Sequence, residues 1–351
     1  MKRSNPITKG DEITTGSFRT LVMTCLFLFP FFVFSAPKNE IKVAFLAPDG
    51  SSWMNVMKAF GEELEKDTKN EVGFKMYPGG VLGDEKDVIR KMRYQIHAAG
   101  LTGMGMGEIV PSIRALELPF LFHNYEEVDF ITSHMFDLYA EEYEKKGYIL
   151  LGFAEAGFIN IFSNEPIKTY DDMKKAKMWS WEGDPLAQAM FKAYNIVPVT
   201  MPVTDVLTSL QAKLVNSFYA PPLAAIALQW FTKVKYMTDT PVGFSVAGLL
   251  VTKIKFQSLP ENHQKKLKEL GKKYSRLLVE QIRKDNQKSY EVLKGKKIKF
   301  VKVTDEDMKS IRDTGIKMRN ELVGKLYSQK ILDKVTSLLK EVRSPKLEAK
   351  K

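Results

Sequence analysis

Ile41 to Leu46 (IKVAFL), Val72 to Tyr77 and Ile96 to Leu101 are three short apolar runs separated by two stretches of helical period. No single residue constrains the chain as much as that order does. Strand, helix, strand, helix, strand in succession demands a parallel sheet with helical crossovers. The first run stops at Pro48-Asp49-Gly50, after which Trp53, Val56, Met57, Phe60 and Leu64 recur on one helical face, with Ser51 or Ser52 to cap it. The second stops at Pro78-Gly79-Gly80, and Asp84 opens a helix reaching Arg93. Ligands of such sheets sit beyond the carboxyl ends of the strands. The loops Asp49 to Trp53 and Thr102 to Glu108 are therefore expected to face a site.

A long amphipathic helix follows from Tyr125 to Lys145, with Val128, Ile131, Met135 and Leu138 on one face, then strands at Tyr148 to Ala154 and Phe158 to Ser163. The alternation then repeats: strand Lys177 to Ser180, helix Asp184 to Tyr194, strand Val197 to Met201, helix Val203 to Gln211 and strand Val215 to Tyr219. Two sheet systems imply two lobes. Tyr236 to Thr252 reads as strands returning to the first lobe. From Pro260 the chain reads as helical, with Leu267, Leu270, Tyr274, Leu277 and Leu278 on one face and a short extended link at Lys296 to Val303. The expected fold class is α/β, and the last dozen residues are expected to fray.

At 351 residues, 44% hydrophobic and 27% charged, the chain has the composition of a globular protein with a large core, which excludes fibrous and disordered classes. Its first 35 residues carry Lys2, Arg3, Lys9 and Arg19, an apolar run from Leu21 to Phe34, and Val33-Phe34-Ser35 before Ala36. This is the layout of a cleaved secretion signal, since the apolar run falls short of the ~20 residues of a spanning helix. Cys25 lies inside that run, so cleavage leaves no cysteine and no disulfide. Lipid attachment at Cys25 is the alternative, and bulky Thr24 before it argues against that. The formal charge of +11 becomes +9 when four basic and two acidic residues leave with the signal. No arginine-aromatic cluster points to nucleic acid.

Gly100, Gly103, Gly105 and Gly107 lack the spacing of a phosphate loop and are read as a backbone passing close to a ligand, with Met104 and Met106 as adaptable apolar surface. The four histidines are scattered, none at metal-ligand spacing, so no metal and no cofactor are expected. Asp171 and Asp172 read as helix-capping acids. No nucleophile elbow is present, which leaves an enzyme reading without support.

Three segments carry a family likeness: Ala115 to Val128 (ALELPFLFHNYEEV), Gly152 to Pro166 (GFAEAGFINIFSNEP) and Pro166 to Pro222. Together they resemble the solute receptors of TRAP transporters, periplasmic proteins that hand small organic acids to a membrane permease. The likeness spans roughly Ile41 to Lys253. It implies a two-lobe periplasmic-binding-protein-like fold with discontinuous lobes, joined by strand crossovers and a long helix spanning both. The expected division is a signal at 1–35, lobe I at 36–155 plus about 236–260, lobe II with bridging helices at 156–235 plus about 261–340, and a tail at 341–351. It also implies a TRAP-type permease as partner, with a tetratricopeptide-repeat lipoprotein as an accessory in some relatives.

Family members carry a carboxylate-gripping arginine on the strand after the turn at Asp171 to Lys177, and the matching residue here is Trp179. A second arginine of the pattern is matched by Ile159. The ligand-binding set expected from the strand ends is Trp53, Met104, Glu155, Asn160, Trp179, Trp181, Phe218 and Tyr219. Core packing is the rival reading for Trp53, Trp179 and Phe218, and service at the lobe hinge is the rival for Glu155 and Asn160. The expectation is a periplasmic receptor that closes on a small apolar or aromatic-bearing ligand. A permease-independent carrier of a lipid-like molecule is the alternative.

Overall fold

A computed structural model describes residues 37–344. The signal expected at 1–35, with Cys25, and the final seven residues lie outside them. The first alternation is as read: β1 (Asn39–Phe45), α1 (Ser52–Asp67), β2 (Val72–Tyr77), α2 (Glu85–Met92) and β3 (Ala98–Thr102). Ser51 caps α1 by accepting from the Met54 N–H. Asp84 and Asp87 form a capping box on α2, which satisfies two N–H groups that a helix start leaves bare. β1 pairs in parallel with both β2 and β3.

The segment after β3 departs from expectation. Thr102 to Glu108, read as a loop, lies almost wholly in the helix α3 (Gly103–Ile109). Its glycines are imposed from outside: a Cβ would lie 2.2 Å from the Glu117 carboxyl at Gly103, 2.5 Å from Glu85 Oε2 at Gly105 and 2.7 Å from Arg114 Cδ at Gly107. Met106 does not present apolar surface to a ligand; it is fully buried in the core.

A 3-10 segment (Pro111–Glu117) leads to α4 (Tyr125–Lys145) and then to β4 (Tyr148–Ser163), a single 16-residue strand where two were expected. Register shifts at Leu150/Gly152 and Glu155/Gly157 bend it. Gly157 sits at φ +115, where a Cβ would also lie 2.5 Å from Asn286 Nδ2, so only glycine fits. The remaining elements are α5 (Tyr170–Lys175), β5 (Trp179–Trp181), α6 (Pro185–Ala193), β6 (Val199–Met201), α7 (Val206–Gln211), β7 (Ser217–Ala220), α8 (Pro222–Ala227), β8 (Tyr236–Thr238), β9 (Gly243–Thr252), α9 (Lys253–Gln257), α10 (Glu261–Gly295), β10 (Lys299–Val301), α11 (Asp305–Glu321) and α12 (Gln329–Arg343). α12 runs into the stretch expected to fray. Leu277 is not on the buried face of α10; it is 40% exposed.

The main sheet runs β2-β1-β3-β9-β4-β8-β10, with β7 also on β4. β4 belongs to both halves: Tyr148 to Ile159 pair with β9, and Asn160 to Ser163 pair with β7, the last two of them also with β8. α10 lies across this junction against α1, β4 and α8. Asn286 pins it there, donating to the Ala156 carbonyl and accepting from the Leu223 N–H. α1 and α10 cover one face of the first half with Met57, Phe60, Leu267 and Leu278; α4 and α12 cover the other with Ile131, Met135 and Val335. Phe162, Phe218 and Trp230 form the core of the second half. Among the described residues no helix is long and apolar enough to cross a membrane.

Candidate functional site

A cavity of about 580 Å³ lies between the two halves. The carboxyl ends of β1 and β3 open onto it, as such sheets dictate, through Leu46 to Trp53 and through Thr102 and Met104. The opposite wall comes from Met178 to Trp181, Asp184 to Tyr194 and Tyr219 to Trp230. Its volume suits one small molecule.

The wall is aromatic. Trp179 stacks on Tyr219 at 5.0 Å between ring centroids, meets Trp230 edge-on at 5.2 Å and lies 6.1 Å from Trp181. Three-residue β5 brings Trp179 and Trp181 to one face, because alternate residues of a strand point the same way. Trp53 packs against Phe45 on the other side. Phe120, Phe191 and Phe244 extend the apolar lining.

Exposed Asp49 at the cavity edge pairs with Lys58 of α1; the buried charged groups on the wall are held within it. Glu85 accepts from the Thr102 N–H, the Thr102 hydroxyl and the Gly105 N–H at 2.7 to 2.9 Å. Burial still pushes its carboxyl up to about 7. Burial likewise pushes Glu117 up to about 7, against the pull of Arg114. Arg114 lies 3.0 Å from Glu117 and donates to both oxygens of Asp184. Burial opposes the Arg114 charge, but Asp184 and Glu117 outweigh it and raise its pKa. A second link joins the two halves where Asp84 accepts from Trp181 Nε1 at 2.7 Å and from the Val203 N–H at 3.3 Å.

Of the eight residues expected from sequence, Trp53, Met104, Trp179, Trp181 and Tyr219 line the cavity, while Glu155, Asn160 and Phe218 do not. Glu155 is bound through both oxygens by Arg283 of α10, beside the β4 bulge. Asn160 bonds the Thr238 carbonyl and the Tyr290 hydroxyl. Phe218 points away from Tyr219 and stacks on Phe162 at 4.9 Å. Sequence reasoning missed Arg114, Glu117 and Asp184. One signal was available for the first two, a pair of opposite charges three residues apart within the otherwise apolar IVPSIRALELPFLF.

Several curated relatives cover most of the chain. An uncharacterized Haemophilus influenzae protein is 26% identical over 214 residues, 61% of this chain and 65% of that one. The 2,3-diketo-L-gulonate-binding periplasmic protein YiaO of Escherichia coli is 27% identical over 266 residues, 73% of this chain and 78% of that one. Among solved structures, the sugar acid binding protein of Advenella mimigardefordensis in complex with galactonate superposes with a TM-score of 0.82 at 20% identity, covering 88% of this chain and all of that one. The architecture is thus the two-lobe α/β fold of periplasmic binding proteins. The family model for bacterial extracellular solute-binding proteins matches residues 43–325. The chain therefore belongs to the bacterial extracellular solute-binding protein family 7, a family of receptors rather than of enzymes.

Proposed function

We propose that this chain is the periplasmic receptor of a TRAP-type permease and that its cavity holds one small, uncharged, apolar or aromatic-bearing molecule. The lobes of this reading are 36–155 with about 236–260, and 156–235 with about 261–340. A tetratricopeptide-repeat lipoprotein belongs to the same proposal as an accessory partner. The observation that carries the ligand class is the charge of the wall. Arg114 is the only lysine, arginine or histidine among the described lining residues, and two carboxylates already hold it. An acid would enter a site that offers it no free cation, and desolvating an unpaired charge is costly. Trp53, Trp179, Trp181 and Tyr219 instead offer flat, rigid apolar faces, three of them with hydrogen-bonding tips already engaged within the protein.

This ligand class departs from the acids for which the two named relatives are described. Native mass spectrometry of the protein as purified should show a bound neutral molecule. Calorimetry should find no tight binding of galactonate or succinate. Tight binding of either acid to the unmodified chain would overturn the ligand class while leaving the family untouched.

A further inference from the structure

Arg114 presents the planar fork that recognises carboxylates through two parallel bonds. Both Nη groups of that fork are engaged from within the protein, while Nε is buried without a hydrogen-bond partner among the described residues. Its Nη2 donates to Asp184 Oδ1 at 3.0 Å and Oδ2 at 2.9 Å, and Nη1 lies 3.0 Å from Glu117 Oε2. All three side chains are 5 to 7% exposed. The two ends of the bond come from opposite walls. Arg114 stands on the 3-10 segment after α3, where Glu117 also accepts from the Val246 N–H of β9. Asp184 is the N-cap of α6 in the other half and accepts from the Leu186 and Ala187 N–H groups.

We propose that Asp184 is a built-in carboxylate that occupies the arginine fork from the opposite wall and so determines that the cavity admits neutral ligands and refuses acids. The inference rests on reading the cavity as the ligand site. An incoming acid has two options, each unfavourable. It can displace Asp184 and leave a buried carboxylate without its partner, or it can lie beside Glu117 and Asp184 as a further negative group with no cation of its own. The same pair also ties the two walls together without any charge from the ligand. Closure around a neutral molecule is then possible.

Removing the Asp184 carboxylate should turn the fork outward to solutes. Asp184→Ser keeps a hydroxyl that caps α6 while emptying the fork, and Asp184→Ala removes both. In thermal melts of the full chain, acetate should raise the melting temperature of both variants where acetamide and chloride at the same concentration do not. The unmodified chain should show no such preference, and adding Arg114→Met to Asp184→Ser should abolish it. By calorimetry, phenylacetate should bind Asp184→Ser at least about tenfold more tightly than it binds the unmodified chain, since a charge-assisted bidentate bond is gained. Phenylacetamide should change little. Failure of acetate to favour either folded variant, or an equal effect on the unmodified chain, overturns the proposal. If neither aromatic probe binds the unmodified chain, the aromatic-ligand reading falls, and the acetate melts still decide the role of Asp184.

Discussion

Trp179→Ala should cost the fold more than it costs recognition alone. The indole is 2% exposed and joins the core that holds Phe218 and Trp230. Truncating a buried tryptophan to alanine removes its transfer free energy and leaves a hole, about 3 to 5 kcal/mol in similar cores. The Nε1–H bond to the Met201 carbonyl at 3.1 Å is also lost. That carbonyl still accepts from the Glu182 N–H, so no stranded acceptor adds a further penalty. Trp179→Phe keeps an aromatic face against Tyr219 and should lose only about 1 to 2 kcal/mol, the hydrogen bond and part of the volume. Urea unfolding followed by far-ultraviolet circular dichroism measures both values from the shift in midpoint at constant slope. A loss under about 1 kcal/mol for Trp179→Ala would refute the pillar role, because no well-packed core residue of this size is removed so cheaply. One consequence reaches the binding assays: a ligand defect in Trp179→Ala mixes folding with recognition. Trp181, only partly buried, is the cleaner probe of the same wall.

Two further outcomes are expected. Glu85 holds its proton up to about pH 7 in the fold but releases it near 4.5 in the unfolded chain; stability is full below 4.5 and falls as pH rises to 7, by about 3 kcal/mol for this group. Glu117 titrates over the same window and burial also raises Asp84 and Glu155, so Glu85→Gln should make the slope measured by denaturant titration across it shallower without abolishing it, and an unchanged slope would refute the assignment. Gly105→Ala places a Cβ 2.5 Å from Glu85 Oε2 and should destabilise the chain by about 1 to 3 kcal/mol despite the better helix propensity of alanine. Gly295→Ala, with nothing within 4 Å, should instead gain up to about 1 kcal/mol, and equal effects at the two sites would contradict the packing argument.

Elements whose signals are local were legible. The helix start at Asp84, the acids Asp171 and Asp172 at the start of α5, the turn glycines after β2 and the apolar periodicity of α1 and α4 each act within a few residues, and the structure keeps them. What was misread depends on partners far along the chain. Ala154-Glu155-Ala156-Gly157 looks like a break between strands because small residues, a glycine and a charge interrupt two apolar runs. It is instead a bulge in continuous β4, where Arg283 holds Glu155 across 128 residues. The glycines of α3 look like a loop because they weaken a helix. They are required by the buried side chains of Glu85, Glu117 and Arg114, two of them on later turns.

The aromatic residues of β5 and β7 show the same division. Trp179 and Trp181, two apart on β5, share a face and both reach the cavity. Phe218 and Tyr219 are adjacent on β7, so only one can do so. Strand alternation by itself therefore excludes one of that pair, and the register of β7 on β4 decides which. Phe162 stands directly opposite Phe218, and Ile161 opposite Tyr219. The aromatic half of the wall could thus be reached from periodicity. Its charged half could not, because Arg114 and Asp184 are 70 residues apart and neither segment carries any mark of the other.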